Sequence, residues 1–216
     1  MKSKFILFLF LVLAFKLNAD PLEEMEYILR FGFIKGGKAT LIAEKDKLNK
    51  KQTIHYRMRG RTTGRVDKVY EVNDIYESWV DPETFLPLKS VRNVKEQKYR
   101  FYDEVTYDHL NDSLFSQKTG RKKVPEKVND LVSVFFYIRQ NSYFDDLLAG
   151  KHVQIPVFHG EDLFLMELKF LGTKTIRTKI GKKECYVVSP VVPKGKLFKD
   201  SDDLKIYITK DENRLP

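Results

Sequence analysis

Residues 125–140, PEKVNDLVSVFFYIRQ, are the stretch around which the rest of the sequence is organised. Asn129 can cap the start of a helix, and Asp130 adds a negative charge to its first turn. Apolar residues recur at helical spacing on two adjacent faces, which are Leu131, Val134, Phe135 and Ile138 on one and Val128, Val132 and Phe136 on the other. A helix that is apolar over most of its circumference is buried on most sides. The sequence therefore predicts one long, buried helix here.

The chain on either side of this helix has the alternation of β-strands. In residues 52–61, Ile54, Tyr56 and Met58 point to one face and a row of arginines points to the other. Strands are predicted at residues 26–35, 38–45, 52–61, 69–80, 86–96, 99–108, 113–119, 153–158, 163–175, 184–192 and 204–209. We therefore predict a mainly β fold, in which a single curved antiparallel sheet or half-barrel holds the one long helix in its concave face.

Turn signals separate the strands. Gly36 and Gly37 are predicted to turn the chain after the first strand. Residues 96–98 are predicted to close one hairpin and residues 159–162 another. No internal repeat or linker interrupts the pattern, so residues 20–216 are predicted to form a single β-rich domain.

The N-terminus has the features of a secretory signal peptide. Lys2 and Lys4 precede the apolar run of residues 5–15, and Ala19 supplies a small residue at the cleavage position. The run is eleven residues long, whereas a membrane-spanning helix needs about 20, so an uncleaved anchor is the weaker alternative. We expect residues 1–19 to be removed before Asp20 and the protein to be secreted or periplasmic.

Charge and cysteine content narrow the classes of function. The chain of 216 residues carries a formal net charge of +9, which favours anionic envelope partners such as lipid head groups or a membrane surface. An exported protein is a poor candidate for binding nucleic acid. Cys185 is the only cysteine, so the domain has no internal disulfide, and we expect this side chain to be a small buried hydrophobe.

No group of residues specifies a reaction. The sequence has no glycine-rich phosphate loop, and no two histidines stand at metal-binding spacing on a helix. Ser133 lacks the strand–turn–helix setting of a catalytic serine. We therefore predict no enzymatic activity, no cofactor and no metal site.

Two sets of side chains are candidates for ligand binding. Arg57, Arg59 and Arg61 form the basic row on one strand face, which either pairs across the sheet and faces water or meets an anionic head group. The aromatic residues Phe135, Phe136, Phe164 and Phe170 either line a cavity or fill the core.

Short motifs along the mature chain resemble an uncharacterised bacterial secreted family, domain of unknown function 3108. They occur in a fairly specific order: Phe31-Gly32-Phe33-Ile34-Lys35-Gly36-Gly37 with Ala39; Thr63-Gly64; Tyr76-Glu77-Ser78; Asp81-Pro82-Glu83-Thr84 with Leu86-Pro87; Asp130-Leu131-Val132-Ser133; Phe136-Tyr137-Ile138-Arg139; Thr178, Gly181 and Cys185; Phe198; and Asp211-Glu212-Asn213-Arg214-Leu215-Pro216. The resemblance implies export to the bacterial periplasm or outer envelope and supplies no catalytic residues. Members of the family usually continue with further β-structure, so we expect the chain to lack C-terminal strands.

Three functions are compatible with the sequence. The first is an exported envelope binding protein that holds a lipid or another apolar or amphipathic molecule in a β half-barrel. The second is a structural or protein-interaction module of the cell envelope with a packed core. The third and weakest is a hydrolase of envelope polymers, which would need carboxylates or a Ser–His pair converging in a cleft.

Overall fold

A computed structural model of the chain describes residues 21–31, 34–140, 142–178, 181–191, 205–212 and 214–215. The predicted signal peptide, residues 1–19, and its cleavage site before Asp20 lie outside these described residues, as do Phe33 and Phe198 of the family motifs. The fold is mainly β, as predicted.

The larger sheet has eight antiparallel strands, each paired with the next strand in the chain. Its strands are β1 (Glu23–Phe31), β2 (Ile34–Leu48), β3 (Lys51–Thr62), β4 (Asn73–Val80), β5 (Pro87–Glu96), β6 (Tyr99–Asp108), β7 (Ser113–Ser116) and β8 (Gly120–Lys123). Alternation along β3 decides which face is inside, because Tyr56 is buried on one face and Arg57 and Arg59 lie on the other. We call the face that carries Tyr56 the inner face.

A second antiparallel sheet forms a curled half-barrel, with the strand order β12-β11-β10-β9. Its strands are β9 (Val153–His159), β10 (Asp162–Thr178), β11 (Gly181–Val191) and β12 (Ile206–Thr209). The fold therefore has two sheets, rather than the single curved sheet that we predicted. Cys185 is buried in β11, as expected.

Three short helices occur among the described residues: α1 (Gly64–Val69), α2 (Ser133–Gln140) and α3 (Tyr143–Leu148). The prediction of one long helix over residues 125–140 was wrong, because only its last eight residues are helical. Of the residues before the helix, Asn129 pairs with the second sheet instead. The backbone N–H of Asn129 donates to the Pro156 carbonyl at 2.9 Å, and the Asn129 carbonyl accepts from the Phe158 N–H at 2.8 Å.

Helix α2 lies between the two sheets, and this explains why it is apolar on two faces. Val134 and Tyr137 belong to the core cluster formed with β9, β10, β11 and β12. Phe136 turns toward the inner face of the larger sheet, where it stacks on Tyr56 with the ring centroids 3.6 Å apart. A stacked aromatic pair adds about 0.5–1.5 kcal/mol to the stabilisation from burial.

A buried carboxylate starts the helix. Asp130 Oδ1 accepts from the backbone N–H groups of Val132 at 2.8 Å and Ser133 at 2.9 Å. Its other oxygen, Oδ2, accepts from the Ser78 hydroxyl on β4 at 2.6 Å. Asp130 is therefore the N-cap, a role that we had expected of Asn129. Burial raises the pKa of Asp130 above its ordinary value, although these hydrogen bonds oppose the shift.

Two other predictions differ in detail from the structure. Gly36 and Gly37 lie inside β2 rather than at a turn, since β2 begins at Ile34. The predicted strand at residues 69–80 begins only at Asn73, because α1 occupies the chain up to Val69. The hairpins closed by residues 96–98 and 159–162 are confirmed by the pairing of β5 with β6 and of β9 with β10.

We expect replacement of Asp130 by alanine to lower the free energy of unfolding by about 2–4 kcal/mol, since it removes the helix cap and leaves Ser78 without its buried acceptor. Chemical denaturation followed by circular dichroism measures this change. The Asp130→Asn variant is the matched control, because it keeps an acceptor oxygen and removes the charge.

Comparison of the Asp130→Asn variant with the wild type also tests the direction of the pKa shift of Asp130. A carboxyl group whose pKa is raised by folding contributes most below its unfolded pKa, and that contribution is lost as the pH rises through the folded pKa. Asp130→Asn should therefore gain stability relative to the wild type as the pH rises from about 4 to about 8. A difference that stays constant or falls over this range would contradict burial as the dominant effect.

Candidate functional site

A pocket of about 310 Å³ opens on the inner face of the larger sheet, beside the area that α2 covers. Phe136 packs in a cluster with Leu41, Ala43 and Tyr56, and the pocket lies over the next paired positions along β2 and β3. Its lining residues come from β1 to β4 and their connections: Leu29, Gly36, Gly37, Ala39, Met58, Gly60, Arg61, Thr62, Val72, Asp74 and Tyr76.

Small side chains create this space. Ala39 on β2 pairs with Gly60 on β3, and a Cβ built at Gly60 would have no heavy atom within 4 Å. Gly37 serves a different purpose, because a Cβ there would lie 2.5 Å from the carbonyl oxygen of Arg61. Gly60 therefore leaves the pocket empty, whereas Gly37 lets the two strands approach each other.

Asp74 and Tyr76 on β4 are two of the polar residues in a mainly apolar wall. Asp74 is buried opposite Gly60, and its Oδ1 accepts from the Lys95 backbone N–H at 2.9 Å. Burial raises the pKa of Asp74 above its ordinary value. Burial also raises the pKa of Tyr76, while Arg92 on β5 opposes that shift. A ligand here would meet mainly apolar carbons and, at Asp74, a poorly solvated carboxyl group.

A second cavity of about 30 Å³ lies on the other side of Tyr76 and has room for roughly one water molecule. Arg92, Asp103, Asp130 and His159 are among its lining residues. The Arg92 guanidinium lies 4.5 Å from the Phe101 ring centroid, and its Nε is buried without a hydrogen-bond acceptor among the described residues. This cavity is too small for an organic ligand.

The outer face of the larger sheet carries a network of paired charges around His55. This buried side chain stacks on Trp79 with the ring centroids 4.2 Å apart. Its Nδ1 lies 3.3 Å from Glu44 Oε1, and its Nε2 lies 3.1 Å from Glu77 Oε1 at a poor hydrogen-bonding angle. Contact with His55, and then with Arg57, lowers the pKa of Glu77. The network is largely neutralised internally and presents no nucleophile.

The three arginines of the predicted basic row have different contacts. Arg57 donates to Glu44 at 3.0 Å and to Glu77 at 3.2 Å, and Arg59 donates to Asn73 at 3.0 Å. All three arginines belong to the outer face by register, but Arg61, near the end of β3, also contributes to the pocket wall. The structure therefore brings only one of the three to the pocket.

The four candidate phenylalanines lie in the core clusters and are absent from the pocket wall. Phe136 is buried and Phe135 is partly buried against the larger sheet, while Phe164 and Phe170 pack on the cluster of the second sheet. Sequence reasoning missed the residues that do form the pocket, above all Ala39 and Gly60. The only indication of them in the sequence is that two small residues occupy inward positions on neighbouring strands.

Within the described residues, no helix is long and apolar enough to cross a membrane. No group of three or more His, Cys, Asp or Glu side chains in the same part of the chain is arranged to hold a metal ion.

Comparison with known proteins identifies one family. A family model described as Protein of unknown function (DUF3108) matches residues 26–216. This match confirms the resemblance drawn from the sequence motifs. Neither a curated protein nor a solved structure matches the chain.

The two glycines of the pocket should respond differently to the same substitution. Gly37→Ala should lower the free energy of unfolding by about 1–3 kcal/mol, because its Cβ clashes with backbone. Gly60→Ala should change it by less than about 1 kcal/mol, because the added methyl group enters empty space. Denaturant titration of both variants measures the difference. Equal losses would mean that the space above Gly60 is filled in solution.

Proposed function

We propose that this chain, which belongs to the family described as Protein of unknown function (DUF3108), binds an apolar or amphipathic molecule of the bacterial cell envelope. The apolar part of that molecule would occupy the pocket over Ala39, Met58 and Gly60. The observation that carries the proposal is the empty volume of about 310 Å³ over Gly60, beside an otherwise packed core.

The size of the pocket limits the ligand. Ligand pockets in proteins usually measure roughly 300–1,000 Å³, so this one stands at the small end of the range. A single acyl chain or a ring system fits such a volume, whereas a lipid with several acyl chains does not. The ligand class is therefore a fatty acid, a monoacyl lipid or an apolar molecule of similar size.

The surroundings of the pocket suggest how an amphipathic ligand would be oriented. The buried end of the pocket, where Asp74 lies, is unfavourable for an anionic group. Burial disfavours negative charge there, and the same effect raises the pKa of Asp74. Arg61 is exposed and borders the pocket, so an anionic head group would lie on its side. This arrangement keeps part of the predicted role of the arginine row but assigns it to Arg61.

A structural or protein-interaction role is the alternative. It is supported by the core clusters, in which all four candidate phenylalanines pack against other side chains of the protein. Organic extraction of protein purified without detergent, followed by mass spectrometry, separates the two proposals. Binding predicts one co-purified apolar molecule per chain, and the structural role predicts an empty extract.

Filling the pocket should abolish binding. We expect Gly60→Leu to lower the affinity for a fluorescent fatty acid at least about tenfold, because the new side chain occupies the space of the ligand. The matched control is Thr40→Leu, which adds the same side chain to the outer face of the same sheet. Fluorescence titration of both folded variants measures the affinities. Undiminished binding by Gly60→Leu would rule out this pocket as the site.

The orientation of the ligand can be tested separately. Arg61→Gln should weaken binding of a fluorescent fatty acid roughly threefold to tenfold and leave binding of the corresponding fatty alcohol unchanged, since only the acid carries a charge. Arg59→Gln, two residues away on the same face, should affect neither probe. Equal effects of the two substitutions would show that the head group does not lie near Arg61.

A further inference from the structure

Strands β10 and β11 extend beyond both of their neighbours. Strand β9 pairs with β10 only over residues 162–168, and β12 pairs with β11 only over residues 185–188. In the described part of the chain, residues 176–178 and 181–183 therefore pair with each other and with no third strand. We call residues 169–178 and 181–183 the basic ribbon.

A bulge lies near the start of the ribbon, shortly after the pairing of β10 with β9 ends at Leu168. The register of β10 against β11 shifts between Phe170 and Gly172, and Gly172 has a φ of 113°, which favours glycine. Beyond this bulge, Lys174 and Arg177 on one strand and Lys182 on the other are exposed. A two-stranded ribbon buries little apolar surface, so contacts within it contribute little to folding.

The segment of sequence that spans the ribbon holds the excess positive charge of the chain. Residues 169–183 contain the six basic residues Lys169, Lys174, Arg177, Lys179, Lys182 and Lys183 and no acidic residue. Lys179 lies outside the described residues and counts here by sequence alone. Three more of the 39 Lys and Arg residues precede Asp20, and the remaining 30 equal the 30 Asp and Glu residues in number. The rest of the chain after residue 19 is therefore neutral overall.

The arrangement of these charges works against the stability of the ribbon. Arg177 lies directly opposite Lys182 in the pairing of the two strands, and like charges in directly opposed positions are destabilising. The acidic residue that follows the ribbon, Glu184, accepts a hydrogen bond from Lys210 at 2.8 Å. The Nζ atom of Lys183 lies 3.9 Å from Asp211 Oδ2, close to the longest distance at which two charges count as an ion pair. An external anionic partner would relieve this repulsion.

We propose that the basic ribbon docks the protein on the surface of an anionic lipid bilayer. The basic side chains are distributed over both faces of the ribbon, with Lys174 and Lys183 on one face and Arg177 and Lys182 on the other. Such a distribution fits a fluid surface of negative charge better than a protein partner, which would contact one face in a fixed register. The inference concerns a surface other than the pocket and holds whether or not the pocket binds a ligand.

Vesicle co-sedimentation tests the proposal on protein purified from the periplasm of an expression host. The wild type should bind vesicles in which about a third of the lipid is phosphatidylglycerol and should not bind pure phosphatidylcholine vesicles. Raising the salt from about 0.05 M to about 0.5 M should release it, because screening weakens the attraction. The ribbon variant carries four substitutions, Lys174→Gln, Arg177→Gln, Lys182→Gln and Lys183→Gln, and should bind at least about tenfold more weakly.

A second variant removes four charges elsewhere, through Lys47→Gln, Lys50→Gln, Lys95→Gln and Lys98→Gln at exposed positions of the larger sheet. It should retain most of the wild-type binding if the ribbon is the docking surface. Circular dichroism confirms that both variants are folded before the comparison. Equal losses in the two variants, binding that persists in the ribbon variant, or wild-type binding to neutral vesicles would each overturn the proposal.

Discussion

The buried carboxylate of Asp130 is the contact on which the rest of the structure depends. It accepts hydrogen bonds from Ser78 on the larger sheet and from the N–H groups of Val132 and Ser133 where α2 begins. The backbone of the preceding residue, Asn129, pairs with β9 of the second sheet. One short segment thus joins a strand, a helix and both sheets. A buried charge without a cationic partner is costly, and the hydrogen bonds to Asp130 offset part of that cost.

The position of this junction decides where the interior is filled and where it is empty. Because Asn129 pairs with β9 and Asp130 caps the turn that follows, α2 is limited to the eight residues Ser133–Gln140, and Phe136 covers only the part of the inner face around Tyr56. The adjoining positions carry Ala39 and Gly60, which do not belong to the cluster around Phe136, and a pocket of about 310 Å³ remains over them. The outer face needs no such cover, since its charges pair with each other around His55 and Arg57. The pocket lies on the larger sheet and the basic ribbon belongs to β10 and β11 of the second sheet, so each gives independent evidence about function.

The strands were predictable because strand alternation is local. Residues 52–61 show it plainly, and β3 spans Lys51–Thr62. The length of the helix was not predictable from residues 125–140, because the helical spacing of its apolar residues continues through a segment that pairs with a distant strand. Gly36 and Gly37 were misread as a turn for a similar reason, since the close approach to β3 that requires Gly37 involves Arg61, distant in sequence. The candidate phenylalanines were correctly recognised as inward-facing, but their spacing could not distinguish core from pocket wall.

The sequence by itself determined the mainly β class, the positions of most strands, the inward direction of Tyr56 and Phe136, the family, and the concentration of net charge in residues 169–183. These properties depend on neighbouring residues or on simple counts. The tertiary structure alone decided that there are two sheets, that Asp130 rather than Asn129 caps the helix, and that the pocket lies over Gly60. It also decided that Arg177, Lys182 and Lys183 lie where β10 and β11 extend beyond both neighbouring strands. Each of these features depends on which distant segments pair, and a pattern read along the chain does not contain that information.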